Sequence, residues 1–225
     1  MLPLKDDNPT RTVPLITLGL LAANIALFIK EILLPQPVRE SFILDYAVIP
    51  VEFLRAGPGS IDHLLYNGMT LFTAMFLHGS ISHLAGNMLY LWIFGNNVEE
   101  MMGHGRFLVF YLLCGLIGSA TQILAAPKSQ VPMIGASGAI AGVLGAYMIL
   151  FPAARVLTLI FVFVFARVVA IPAIIIVGFW FLLQLVQVGP IGPGGVAVMA
   201  HIGGFVAGLL FLVPFRRQRP RQSLY

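Results

Sequence analysis

Charged residues divide this chain into long uncharged runs, and the runs predict its elements. Thr12–Ile29, 18 residues, predicts one membrane-spanning helix. His63–Val98 is free of charge over 36 residues, but Asn67, Gly68, Gly79, Ser80 and Ser82 interrupt its first half. A span is therefore expected from about Ser82 to Val98. Phe107–Pro127 supplies 21 residues for a third span. Ser129–Ala154 supplies 26, opening with polar and proline residues and turning helical near Ser137. Val168–Phe215 runs for 48 residues around a hinge, GPIGPGG (Gly189–Gly195), and is expected to fold back as two spans. A crossing helix needs about 20 apolar residues, so the pattern predicts six.

Two stretches fit the pattern less simply. Val156–Ala166, between Arg155 and Arg167, is too short to cross and rich in Val, Phe and Ile. It is expected as a connector lying against the membrane interface, the alternative being an extension of the next helix. The first outer loop, Pro35 to about Ile81, is long for a membrane connection. Its amphipathic piece LDYAVIPVEFL (Leu44–Leu54) is expected on the outer leaflet.

Composition agrees with this layout. Of 225 residues, 59% are apolar and only 10% charged, against roughly 25% in a soluble domain. Mean hydropathy is +0.94. These values exclude a disordered chain, a nucleic-acid-binding domain and a small secreted scaffold. Cys114 is the single cysteine, which excludes an intrachain disulfide, a CxxC redox motif and a multi-thiolate metal site. The net charge of +4 then reads as membrane sidedness. With six spans, Lys5, Arg11, Arg106, Arg155, Arg167 and the four arginines at 216, 217, 219 and 221 share one side with both termini. Lys30, Arg39, Arg55 and Lys128 lie opposite. Nine against four puts the termini in the cytoplasm, in a plasma or cell inner membrane. The first apolar stretch is long and lacks a convincing cleavage site, so it is expected to remain as a span. The chain thus reads as an all-α membrane protein: an N-terminal tail (1–12), a six-span domain (13–215) and a basic tail (216–225) directed to anionic headgroups.

Elimination narrows the chemistry. No acid sits well inside an expected span, so a paired-aspartate protease is excluded, and a proton-coupled transporter lacks its carboxylate. No H-E-x-x-H occurs, excluding that type of zinc protease. The spans do hold His83, Asn87, Ser137 and His201. Ser137 lies in GASGAIAGVLGAY, among Gly135, Gly138, Gly142 and Gly145. At a helix start it faces free N–H groups and the positive dipole end, suited to charge on a bound carbonyl oxygen. Taken alone, it reads first as a helix cap in a glycine packing face. His201, in AHIGGFVAG, is costly in a membrane unless paired or facing a wet cavity. It is either a general base toward Ser137 or a histidine bridging helices. Gly204 and Gly208 form a small-residue face able to pack against Gly138 and Gly142. His83 and Asn87, at i and i+4 on one helix face, are oxyanion donors or interhelical glue. His78 is off that face and is expected to prop the entering loop. Nucleophile, base and two donors at one depth make an acyl-transfer set.

HGSISHLAGN (His78–Asn87), GASG (Gly135–Gly138) and AHIGGFVAG (Ala200–Gly208) resemble the rhomboid family of intramembrane serine proteases, in family order, over roughly Val13 to Phe215. The resemblance implies a six-helix rhomboid-like bundle with a long first outer loop. It implies Ser137 as nucleophile, His201 as base, and His83, Asn87 and the Ser137 N–H as the oxyanion site. It also implies transmembrane protein substrates, held in the lipid bilayer and cut near the outer surface, and no cofactor or metal. The substrate gate maps to Ile171–Gln187 and Gly189–Val198, with Phe179 and Trp180 as candidate gate residues or lipid-facing packing. Glu99 and Gly103 agree with the family's Glu-x-x-x-Gly, with Glu99 in a structural role. Three positions depart: Met69 and Thr70 replace a frequent Trp-Arg pair, and Ala141 replaces a frequent Tyr that stacks on the histidine. A non-catalytic relative that binds transmembrane clients is the alternative.

Overall fold

The fold is described from a computed structural model, for residues 2–55, 61–162, 165–188 and 197–217. It is mostly helical. Nine helices occur among these residues: α1 (Leu15–Leu33), α2 (Gln36–Tyr46), α3 (Pro50–Arg55), α4 (Ile61–Thr73), α5 (Ile81–Met102), α6 (His104–Ala125), α7 (Ser137–Leu150), α8 (Ala173–Val186) and α9 (Val198–Phe215). By length and composition three can cross a membrane, namely α1, α6 and α9. The shorter α7 and α8 are also apolar, with 14 residues each. The hinge Gly189–Gly195 and most of the basic tail lie outside the described residues.

Helix α7 is the centre of the bundle. Every residue from Gly138 to Tyr147 is buried, so the helix has no polar face to present. It packs against α5, α6, α8 and α9, over a core that includes Leu91, Phe94, Phe107, Phe110, Tyr111 and Phe205. Small residues bring the backbones together. A Cβ on Gly204 would run into the Gly138 carbonyl oxygen, and one on Gly208 into that of Gly142. The expected glycine faces therefore do meet. On α6, a Cβ on Gly118 would stand 2.6 Å from the carbonyl oxygen of Ala200.

Helix boundaries differ from the charge-free runs because helices do not stop at the first charge. Helix α1 continues past Ile29, so Lys30 and Glu31 fall in its last turn, with Glu31 fully buried. Helix α5 continues to Met102, and its Glu99 caps α1. The Glu99 carboxylate accepts from Ile16 N (2.9 Å), Thr17 N (2.8 Å) and Thr17 Oγ1 (2.7 Å). It also pairs with His104 Nδ1. This is the structural role expected of it.

The stretch between α1 and α5 is folded as α2, α3, α4 and a 3₁₀ turn over Ala74–Phe76. Leu44–Leu54 is not one amphipathic element: α2 ends at Tyr46 and α3 starts at Pro50. Between them Val48 pairs with Met133 in an isolated bridge.

Val156–Ala166 does join α7 to α8, but as strand and not as an extension of the next helix. It belongs to two antiparallel strands, β2 (Arg155–Val162) and β3 (Phe165–Pro172), in register from Arg155↔Pro172 to Val162↔Phe165. Its Val, Ile, Phe and Thr content suits a pleated strand. The N-terminal strand β1 (Leu2–Asp6) adds antiparallel to β2, giving the order β1-β2-β3. The chain is therefore not purely α-helical. Asp6, at the end of β1, is buried, and its Oδ2 accepts from Tyr147 Oη (2.6 Å) and Asn97 Nδ2 (2.8 Å). Burial pushes the Asp6 carboxyl above the ordinary range, against the downward pull of the Tyr147 hydroxyl.

Candidate active site

The loop before α7 is fixed from two sides. Met133 and Val48 exchange backbone hydrogen bonds, and Gly135 N donates to Ala74 O at 2.8 Å. Gly135 has φ +117°, a backbone that L side chains rarely adopt. The chain then turns into α7 with Ser137 as its first residue. The first N–H groups of a helix have no acceptor within it, so they are free to face a ligand beside Ser137.

His201 stands in the first turn of α9, and that turn is anchored by Gln122 on α6. Gln122 Oε1 accepts from Met199 N (3.0 Å) and Ala200 N (3.3 Å), satisfying two of the orphan donors. His201 Nε2 lies 2.7 Å from Ser137 Oγ. On the far side of the ring, Nδ1 lies 2.8 Å from Gln184 Oε1, contributed by α8. The Trp180 ring packs against the same imidazole, with centroids 5.8 Å apart.

Helix α5 brings the remaining polar groups. Ser80 caps it, accepting from His83 N at 3.1 Å. Asn87 Nδ2 is 2.9 Å from His78 Nε2. An amide nitrogen only donates, so His78 Nε2 accepts and Nδ1 carries the proton. His78 is fully buried, and burial, reinforced by the His83 ring beside it, lowers its pKa to about 4. It is therefore a neutral acceptor near pH 7, and it leaves one Asn87 N–H for another partner.

Ser137, His201, His83 and Asn87 line one open cavity of about 640 Å³, together with Gln122 and Trp180. The four residues singled out from the sequence thus converge. The two gate candidates separate. Phe179 is exposed on the outer face of α8, whereas Trp180 points inward against His201 and Phe205. Ala141 is fully buried within the core.

Sequence reading missed three groups here. His78, expected only to prop the entering loop, also holds the Asn87 side chain. Gln184 is the single polar residue of an apolar helix, and that isolation was the available signal, since a buried amide needs a partner; Gln122 follows Ser119 and Thr121 and stood out less. Among the described residues no three His, Cys, Asp or Glu side chains converge as a metal site requires. The arrangement holds a hydroxyl beside an imidazole whose opposite nitrogen is engaged, which is the geometry of nucleophile, base and orienting group.

The Rhomboid domain family matches residues 66–218. "Rhomboid protein 1, mitochondrial" of Saccharomyces cerevisiae is 31% identical over 166 residues, 69% of this chain and 46% of that protein. "Rhomboid protease GluP" of Bacillus subtilis is 49% identical over 78 residues, 35% of this chain and 15% of the relative. "Putative rhomboid protease YdcA", also of Bacillus subtilis, is 37% identical over 78 residues, 35% and 39% of the two chains. Each of these relatives is matched over less than half of its own length.

Proposed function

This chain belongs to the rhomboid family, and from that premise we propose that it is an intramembrane serine endopeptidase. The observation that carries the reading is the 2.7 Å contact between Ser137 Oγ and His201 Nε2 inside an open cavity. Ser137 Oγ attacks the scissile carbonyl carbon while its proton passes to His201 Nε2. The negative charge that develops on the carbonyl oxygen is held by His83, Asn87 and the Ser137 N–H. As the tetrahedral intermediate collapses, the C–N bond breaks and His201 returns the proton to the leaving amine. Water from the cavity then attacks the acyl-enzyme, deprotonated by the same imidazole.

The substrates are transmembrane segments of membrane proteins, reached laterally between α5 and α8. A helical peptide bond is shielded by its own hydrogen bonds, so the segment must unwind locally, which favours small or helix-breaking residues near the cut. Helices α1 and α5–α9 are the six spans. The basic-residue asymmetry supports this orientation, with both termini in the cytoplasm of a plasma or cell inner membrane and the cavity on the outer side. Helix α7, at 14 residues and about 21 Å, is shorter than the roughly 30 Å hydrocarbon layer, which leaves Ser137 recessed below the outer surface with room for water.

A fluorophosphonate probe on the reconstituted protein tests this. Labelling of the wild type that is absent from both Ser137→Ala and His201→Ala is the expected result. A folded wild type that takes no label would exclude an activated serine and leave client binding as the function.

A further inference from the structure

Ala141 of α7 is a methyl group sunk in the core. The His201 ring is met by two side chains from α8. Trp180 and Gln184 stand one turn apart, at i and i+4, and so share a face of that helix. The indole packs on His201 at 5.8 Å between centroids, and the amide reaches Nδ1 at 2.8 Å. Gln184 is 8% exposed in a helix whose neighbouring residues Leu182, Leu183 and Leu185 are exposed and apolar. A lone amide placed inward there needs its partner.

The orientation of that amide has a chemical consequence. Gln184 Nε2 faces the Trp180 carbonyl oxygen at 3.5 Å. Flipping the amide would set two oxygens against each other, so Oε1 is the atom toward His201. A carbonyl oxygen only accepts, hence His201 Nδ1 carries the proton. In the neutral ring Nε2 is then bare and accepts from the Ser137 hydroxyl. The opposite tautomer would place an N–H against Ser137 and could not take its proton.

We infer that Gln184, seated by Trp180, is a positioning residue that selects the base-competent tautomer of His201. The inference rests on the catalytic reading of Ser137 and His201, but its first readout does not. In histidine-¹⁵N-labelled wild type, with His201→Ala identifying the signal, His201 is expected to be protonated on Nδ1 and bare on Nε2. In Gln184→Leu the two tautomers are expected to mix. In turnover, Gln184→Leu should lower kcat about tenfold, the scale of one lost hydrogen bond, with KM within about twofold. Gln184→Glu keeps the acceptor oxygen and should recover most of that loss. The assignment is overturned by an Nε2-protonated His201 in the wild type. It is equally overturned by a folded Gln184→Leu with wild-type tautomer and kcat, or by Gln184→Glu no better than Gln184→Leu. A wild type with Nδ1-protonated His201 that takes no fluorophosphonate would support the Gln184 assignment while removing the protease reading.

Discussion

Gly135 stands against the imidazole of His83 so closely that a Cβ built on it would come within 2.8 Å of ring atoms Cε1 and Nε2. The loop that leads into Ser137 and the helix that carries His83, the proposed nucleophile and oxyanion donor, therefore share one contact. Gly135→Ala must strain a backbone at φ +117° and also displace the ring. Turnover is expected to fall at least tenfold, read as the initial rate on a transmembrane substrate. Gly19→Ala is the control: nothing lies within 4 Å of its Cβ position, and α1 should gain up to about 1 kcal/mol.

Truncating an oxyanion donor should be graded. His83→Ala and Asn87→Ala are each expected to slow turnover by about 10²–10³. His78→Ala removes only the bond that holds Asn87, so a loss of about tenfold is expected. Steady-state rates on one substrate rank the three variants, and equal losses for His78→Ala and Asn87→Ala would contradict the separation of roles.

The N-terminal strand is tied to the catalytic helix through Asp6 and Tyr147. Asp6→Ala removes an acceptor shared by the Tyr147 hydroxyl and the Asn97 amide and should cost about 1–3 kcal/mol. Thermal unfolding in detergent measures it. The pH dependence has a definite sign. Since burial raises the Asp6 carboxyl, its contribution is fully present below the ordinary carboxylate range and declines as pH rises through the raised value. Asp6→Asn should flatten that decline.

Glu99 supplies three acceptor contacts to the start of α1. Glu99→Ala should destabilise the fold by about 2 kcal/mol or more, since bonds to a charged group are the strong ones. Unfolding midpoints should show the loss while fluorophosphonate labelling at low temperature persists.

Close backbone contact predicts the strongest effect on folding. Gly204→Val drives two methyl groups into the Gly138 carbonyl and should prevent α7 and α9 from packing. Loss of the folded species on size exclusion is the expected outcome.

Much of this was legible in the sequence because membrane solvation is strict. Spans must be apolar, so an embedded Ser137, His201, His83 or Asn87 stands out against its surroundings. Glycines at i and i+4 announced the α7–α9 contact for the same reason, since little else brings apolar helices so close. Arg155–Pro172 was opaque because a short run of Val, Ile and Phe looks alike as strand or buried helix. The five residues of β1 carry almost no pattern by themselves. Gln184 escaped because its meaning lies in a partner 17 positions away on another helix.

With α8 as one of the proposed spans, its exposed apolar side has a further consequence for the bilayer. Ile174, Ile175, Phe179, Leu182 and Val186 cover a helix of 14 residues, about 21 Å long. Helix α6, with 22 residues, reaches about 33 Å. A hydrocarbon layer that fits one side of the molecule is too thick for the other, and hydrophobic mismatch is relieved by thinning the leaflets locally. That strain is concentrated beside the helix holding Gln184 and Trp180.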